Sequence, residues 1–157
     1  MTESDASRPP AGPRLHPRDA VAAIIVVPPQ GYLLQLRDNR PDIFFPDHWG
    51  LFGGAIEPGE SEEAALRREL LEEIGVDFPP EAVRYATRID IDWNRPGFGM
   101  KTRAFFEVSL AAERVRSVVL REGADLRVFS PAEIQNLRVT PYDAFGLWLH
   151  INRERIG

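Results

Sequence analysis

Apolar positions in this chain fall into blocks with two different periods. Ala20–Val27 (AVAAIIVV) is an unbroken apolar run closed by Pro28-Pro29, the pattern of a strand buried on both faces. Gln30-Gly31 then turns the chain into Tyr32–Arg37 (YLLQLR), a second strand hairpinned to the first. Asp38–His48 reads as a long loop with two prolines, and Trp49–Phe52 as a short strand. From Ser61 the period lengthens: Leu66, Leu70 and Ile74 recur at i, i+4 and i+8, which predicts a helix over 61–74. Ser61 is placed to cap it, Glu62 and Glu63 suit the positive end of its dipole, and Gly75 stops it.

Alternation returns in Val83–Trp93, with Tyr85, Thr87, Ile89 and Ile91 on one expected face. Asn94–Gly99 (NRPGFG) is a turn and Met100–Leu110 the returning strand of a second hairpin. Short strands are predicted at Val118–Leu120 and Leu126–Phe129. Ser130-Pro131 and Thr140-Pro141 each set a capping residue before a first-turn proline, predicting helices over about 131–136 and 141–154. Ala144, Leu147, Trp148 and Ile151 supply the apolar face of the last one. The order of elements indicates an α/β (α+β) fold, a mixed sheet between helices.

Composition narrows the partners. At 157 residues, 43% hydrophobic and 27% charged, one core-forming domain is expected over 19–157, behind a Pro-, Ser- and Arg-rich leader at 1–18 that reads as flexible. No apolar run approaches the ~18 residues of a membrane span, and the first residues lack a secretory apolar core. Without cysteine there are no disulfides, thiolate metal sites or thiol nucleophiles, which suits a cytoplasmic location. A net charge of −5 disfavours long nucleic acids, whose binding relies on neutralising phosphates with Lys and Arg.

Chemistry concentrates in WGLFGGAIEPGESEEAALRRELLEEIGV, Trp49 to Val76. Glu69, Glu72 and Glu73 gather on one side of the predicted helix, since residues three and four apart are neighbours. Three carboxylates within one turn repel unless solvent dilutes the repulsion or a cation sits among them. An isolated E-x-x-E-E reads as a solvated acidic face. Here a glycine loop precedes it and an arginine lies inside it. The full pattern is G-x5-E-x7-R-E-[apolar]-x-E-E-x-G-[apolar], from Gly54 to Val76, and ordinary residue frequencies put a chance match on the order of 10⁻⁸.

That pattern is the signature of the Nudix hydrolases, and the sequence resembles that family without a substitution in the motif. The resemblance implies the Nudix α/β/α sandwich and hydrolysis of a diphosphate bond in a small nucleoside diphosphate linked to another group. Oxygen donors without nearby His or Cys favour Mg²⁺ first and Mn²⁺ second. The ligands it implies are the Gly53 carbonyl, Glu69, Glu72 and Glu73, joined by Glu122 from an E-G pair upstream of a strand, with Asp125 as fallback. The implied catalytic set is Glu69, Glu73, Glu122 and Arg68: Glu69 or Glu122 as base, and Arg68 as a clamp on the carboxylates. Glu60 is expected to support the loop. Candidate substrate contacts are Arg37 at a strand end and Trp93 and Phe98 flanking a hairpin tip. His16, His48 and His150 share no pattern and read as surface or capping residues. Homodimers are frequent in the family, although no stretch declares an interface.

Subgroup signatures are missing. The ADP-ribose group's proline about sixteen residues after the motif is replaced by Ile91-Asp92-Trp93, and the dinucleoside polyphosphate tyrosine and NADH-group string are absent. Val139 stands where oxidised-guanine nucleotide sanitisers place asparagine, which weakens an 8-oxo-dGTP assignment. Two substrate classes remain, nucleoside triphosphates and nucleotide sugars. Against them stands a ligand sensor without turnover, disfavoured because every motif glutamate is present.

Overall fold

An apolar run with no polar break must bury both faces, and Ala20–Val27 does so as strand β1, at the centre of a mixed sheet. The computed structural model describes residues 12–156. In chain order it contains β1, β2 (Gly31–Leu36), β3 (Trp49–Gly50), β4 (Phe52–Ala55), α1 (Glu62–Ile74), β5 (Arg84–Asp92), β6 (Met100–Ser109), α2 (Ala112–Val115), β7 (Asp125–Phe129), α3 (Pro131–Ile134) and α4 (Pro141–Ile151). Val21, Ala23 and Ile25 of β1 pack towards Leu66, Leu70 and Ile74 of α1. The alternate residues Ala22 and Ile24 pack with Leu147 of α4 and Phe105. Burying Leu66, Leu70 and Ile74 contributes roughly 1.5–3 kcal/mol each, a large share of the ~5–15 kcal/mol that keeps a domain folded.

Strand pairing explains where a cleft opens. Along one edge β1 pairs in parallel with β6, from Ala20↔Arg103 to Val26↔Ser109. Its other edge is divided, with β2 beside Ile25–Val27 and β4 beside Ala20–Ala23. Strand β2 carries β7 on its outer edge and takes up β3 at Gln35 and Leu36. The segment Trp49 to Ala55 therefore wedges between the diverging ends of β1 and β2. The glycine pair Gly53-Gly54 sits in that wedge, facing α1.

Local signals hold at most boundaries. Ser61 Oγ accepts the Ala64 amide at 3.2 Å, and Gly75 ends α1 in the left-handed conformation with φ 69°. Ser130 and Glu133 form a reciprocal capping box on α3. The strand expected at Val118–Leu120 does not form: after α2, which the sequence did not announce, these residues run irregularly, with Val118 and Leu120 against the core. Helices α3 and α4 end earlier than expected, at Ile134 and Ile151, and Trp148 points outward, 56% exposed. The alternation in β5 breaks at a register shift between Tyr85 and Thr87. Tyr85 consequently packs edge-on to Phe106, on the α1 side, while Ile89 joins the opposite core.

Most of the expected leader, residues 1–11, lies outside the described residues. Of the remainder, Pro17 is buried. His150 is not a surface residue. It is buried between Glu107, whose Oε2 lies 2.5 Å from Nε2, and the Tyr32 hydroxyl, 3.1 Å from Nδ1. Burial lowers its pKa, outweighing the pull of Glu107. A neutral ring donating to Glu107 and accepting from Tyr32 satisfies all three groups. His48 is half-buried, its Nδ1 2.8 Å from the Pro46 carbonyl. Among the described residues no helix is long and apolar enough to cross a membrane.

Candidate active site

Helix α1 hands its glutamates to different surroundings. Leu66, Leu70 and Ile74 fix its rotation, and Glu69 and Glu73, one position before the last two, meet the glycine wedge. Glu73 is turned inward, only 4% exposed, and its Oε2 accepts the Gly53 amide at 2.9 Å. Glu69, one turn earlier, lies behind Gly54: a Cβ at Gly54 would come within 2.6 Å of the Glu69 carboxylate. Glu72 points out, 58% exposed, and neither it nor Glu69 lines the cavity in front of the glycine pair.

Arg68 ties the set together. Its Nε and Nη2 grip Glu60 at 2.8 and 3.0 Å, Nη1 donates to Glu69 at 2.8 Å and reaches Glu72 at 3.4 Å, and Nη2 also meets the Ala55 carbonyl. This bidentate grip holds the Glu60 carboxyl down at about 2. Glu60 Oε2 in turn accepts the Glu57 amide, closing the loop before the helix.

The cavity in front of Gly53 and Gly54 measures about 270 Å³. Glu73 forms its floor and Glu122 faces it from the loop before β7. Gly123 makes that approach with φ 99°, a conformation that favours glycine, and a Cβ there would stand 2.9 Å from Gln35 Oε1 and 3.0 Å from the Leu36 carbonyl oxygen. Arg37 and Trp93 also line the cavity. Arg37 Nε donates to the Phe44 carbonyl at 2.9 Å, and Trp93 leans on the Phe44 ring with centroids 5.0 Å apart. Phe98 does not line it; its ring meets that of His16 edge-on, with centroids 6.0 Å apart. Asp125 turns to Arg127 at 2.9 Å.

Several cavity residues were not singled out in the sequence. Gln35 is 4% exposed, with its amide nitrogen on the Leu51 carbonyl, and its signal was a polar residue inside an apolar strand. Lys101 and Arg103 come from β6, Tyr142 from α4, and Pro17 and Arg18 from the segment before β1, beside His16, which was expected at the surface and also lines the cavity. Nothing local distinguishes these from ordinary surface positions.

Electrostatics in the cluster are unfavourable for bare carboxylates. Burial pushes the Glu73 carboxyl up to about 8, with the Gly53 amide opposing and Glu69 and Glu122 adding repulsion. Burial likewise raises Glu69 despite Arg68. Among the described residues no three carboxylate or imidazole groups already form a closed cage. The donor set nonetheless fits a hard divalent cation: oxygen atoms only, mutually repelling, beside a glycine whose missing side chain leaves room at Glu69. Glu69, Glu73 and Glu122 would hold such an ion.

A stability test follows from Glu73. In the unfolded chain it ionises near its ordinary value of 4.5, and in the folded chain near 8. Between those values the folded state binds the extra proton, so stability falls as pH rises through this window and levels off above it. The loss is on the order of a few kcal/mol. Thermal melts of chelator-treated protein from pH 5 to 9 should show Tm dropping by several degrees, and Mn²⁺ should abolish the drop. A Tm that climbs from pH 5 to 8 would contradict it.

Comparison with known proteins gives a consistent picture. A model of the NUDIX domain matches residues 16–154. The nucleoside triphosphatase NudI of Salmonella arizonae is 56% identical over 45 residues, which are 28% of this chain and 30% of that protein. The chain thus spans about a third of the length of the curated relatives it matches. Among solved structures, a MutT protein from Methanosarcina mazei superposes with a TM-score of 0.68 at 19% identity, covering 92% of this chain and 98% of the other. The E. coli dihydroneopterin triphosphate pyrophosphohydrolase follows with a TM-score of 0.66 at 20% identity, covering 85% and 95%. At these identities the structural likeness is one of fold.

Proposed function

The chain belongs to the Nudix hydrolase family, and on that premise we propose that it hydrolyses a diphosphate bond in a small nucleotide, a nucleoside triphosphate in preference to a nucleotide sugar, with Mg²⁺ or Mn²⁺. The observation that carries the triphosphate is the charge of the cavity walls. Arg40 is paired with Asp42 and Arg103 with Asp143, whereas Arg18, Arg37 and Lys101 have no carboxylate partner among the described residues. Three uncompensated cations opposite a glutamate cluster suit a chain of phosphates better than a diphosphate ending in a neutral sugar. The triphosphatase name of the partial relative NudI points the same way.

In this reading Glu69, Glu73 and Glu122 hold the metal, with the Gly53 carbonyl as a further donor. The ion, when bound, neutralises the diphosphate and makes a bound water easier to deprotonate. Arg68 keeps Glu69 oriented and Glu60 keeps the loop closed around Gly54. Glu122 is the better candidate for the base: it lines the cavity and has no ion-pair partner among the described residues, while Glu69 sits behind Gly54 on Arg68. Arg37 and Lys101 take the distal phosphates.

A hydrolysis panel with Mg²⁺ tests this: canonical and oxidised nucleoside triphosphates, nucleotide sugars, ADP-ribose and dinucleoside polyphosphates, products separated by chromatography. Triphosphates should turn over fastest. Faster turnover of nucleotide sugars would refute the triphosphate preference. Binding without turnover across the panel would instead favour a ligand sensor.

A further inference from the structure

One cation in the cavity is built differently from the others. Arg103 is 13% exposed, and both Nε and Nη2 bond to Asp143 Oδ1, at 2.8 and 2.7 Å. Asp143 is 1% exposed, and its second oxygen accepts the Leu51 amide and the Thr140 hydroxyl, each at 2.9 Å. Thr140 therefore does not cap α4 through its side chain, as the Thr140-Pro141 pair suggested; its hydroxyl serves Asp143 instead. The guanidinium carbon lies over the Tyr142 ring, 4.5 Å from its centroid, with the Phe105 ring at 5.9 Å. The Asp143 carboxylate thus holds a planar cation against an aromatic ring at the cavity wall.

That arrangement is ill suited to gripping phosphate. The Arg103 charge is already neutralised by a buried carboxylate, and a phosphate drawn to it would be repelled by Asp143. What remains available is the flat, delocalised face. Guanidinium planes stack on nucleobases as aromatic rings do, and a plane clamped in advance loses little freedom on binding. Resting on the nucleotide reading above, we propose that Arg103, backed by Tyr142, is the plate on which the nucleobase stacks, and that Asp143 is its positioning residue. The cavity cations then divide the work: Arg37, Lys101 and Arg18 meet phosphates, and Arg103 meets the base. Asp143 also links base and metal ends of the site, because Leu51 precedes Gly53 by two residues on the wedge.

The test separates base from phosphate. Binding of α,β-imido triphosphates of adenosine and guanosine, and of inorganic tripolyphosphate, is measured by calorimetry in Mg²⁺ on wild type, Arg103→Lys and Tyr142→Leu. Lysine keeps the charge and the Asp143 pair but has no plane; leucine removes the backing ring and leaves the ion pair intact. The expected result is nucleotide Kd about tenfold weaker in Arg103→Lys, from the usual strength of base stacking, with tripolyphosphate Kd unchanged. Tyr142→Leu should show the same selective loss, and it decides the question alone if the lysine variant does not fold. Equal weakening of nucleotide and tripolyphosphate would overturn the proposal by making Arg103 a phosphate contact. No weakening in either variant would reduce the cluster to a strut between β6 and α4. Wild type that binds the nucleotides selectively yet turns over no triphosphate would refute the hydrolase reading and leave the stacking plate standing. Wild type that binds no nucleotide would refute both.

Discussion

Glu73→Gln is expected to lower kcat/KM for the preferred nucleotide by about 100-fold or more, while the chelator-treated variant melts higher than wild type at pH 8. The first effect follows from the place of Glu73 at the cavity floor: glutamine is nearly isosteric but brings no charge to a cation, and even groups that only support metal ligands are worth roughly 10–100-fold. The second follows from burial. Ionising a carboxyl at that place is unfavourable because of burial and of repulsion from Glu69 and Glu122, and the amide removes that cost. The Gly53 amide keeps an acceptor, since the glutamine carbonyl can take the place of Oε2. Steady-state kinetics and melting curves on one preparation check both signs. A variant that loses activity and stability together would mean Glu73 is chiefly a structural residue.

The adjacent glycines should fail in different ways when replaced by alanine. At Gly53, φ is 140° and a Cβ would run into the Val21 carbonyl oxygen, part of the β1–β4 pairing. Backbone cannot yield there, so Gly53→Ala is expected to cost about 3 kcal/mol or more and to lower Tm markedly. At Gly54 the obstacle is the Glu69 carboxylate at 2.6 Å, the end of a flexible side chain. Glu69 can swing aside, so Gly54→Ala should fold with Tm within a few degrees of wild type and lose at least tenfold in kcat/KM. Calorimetric melts paired with the hydrolysis assay separate the two. Comparable loss of stability in both variants would show that Glu69 is not free to move.

Legibility followed the range of the interactions involved. Helix α1, its Ser61 and Gly75 caps, the Ser130 cap and both hairpins were readable because each depends on residues within a few positions. The strand expected at Val118–Leu120 failed because a short apolar pair beside a loop packs equally well without pairing. Thr140 looked like a cap and became a partner of Asp143, since local hydroxyl chemistry permits both and only the arrival of β6 and β3 decides. The shift at Tyr85 and Thr87 likewise flips a residue whose alternation pattern gave no warning.

By itself, the sequence determined the family, the helix that carries the glutamates and the glycine loop opposite, because all lie within Gly54 to Val76 and rest on spacing along one chain segment. Tertiary structure alone decided which glutamate is buried and which is exposed. Glu72 and Glu73 are neighbours of one residue type, yet one is 58% exposed in side chain and the other 4% exposed overall, a difference set by what packs against α1. It decided, too, that Trp93 lines the cavity and Phe98 does not, and that Arg103, Tyr142 and Asp143 meet across about 40 residues of chain. Burial and pairing over that range depend on which elements come to lie together, and no local pattern of apolar and polar residues encodes that.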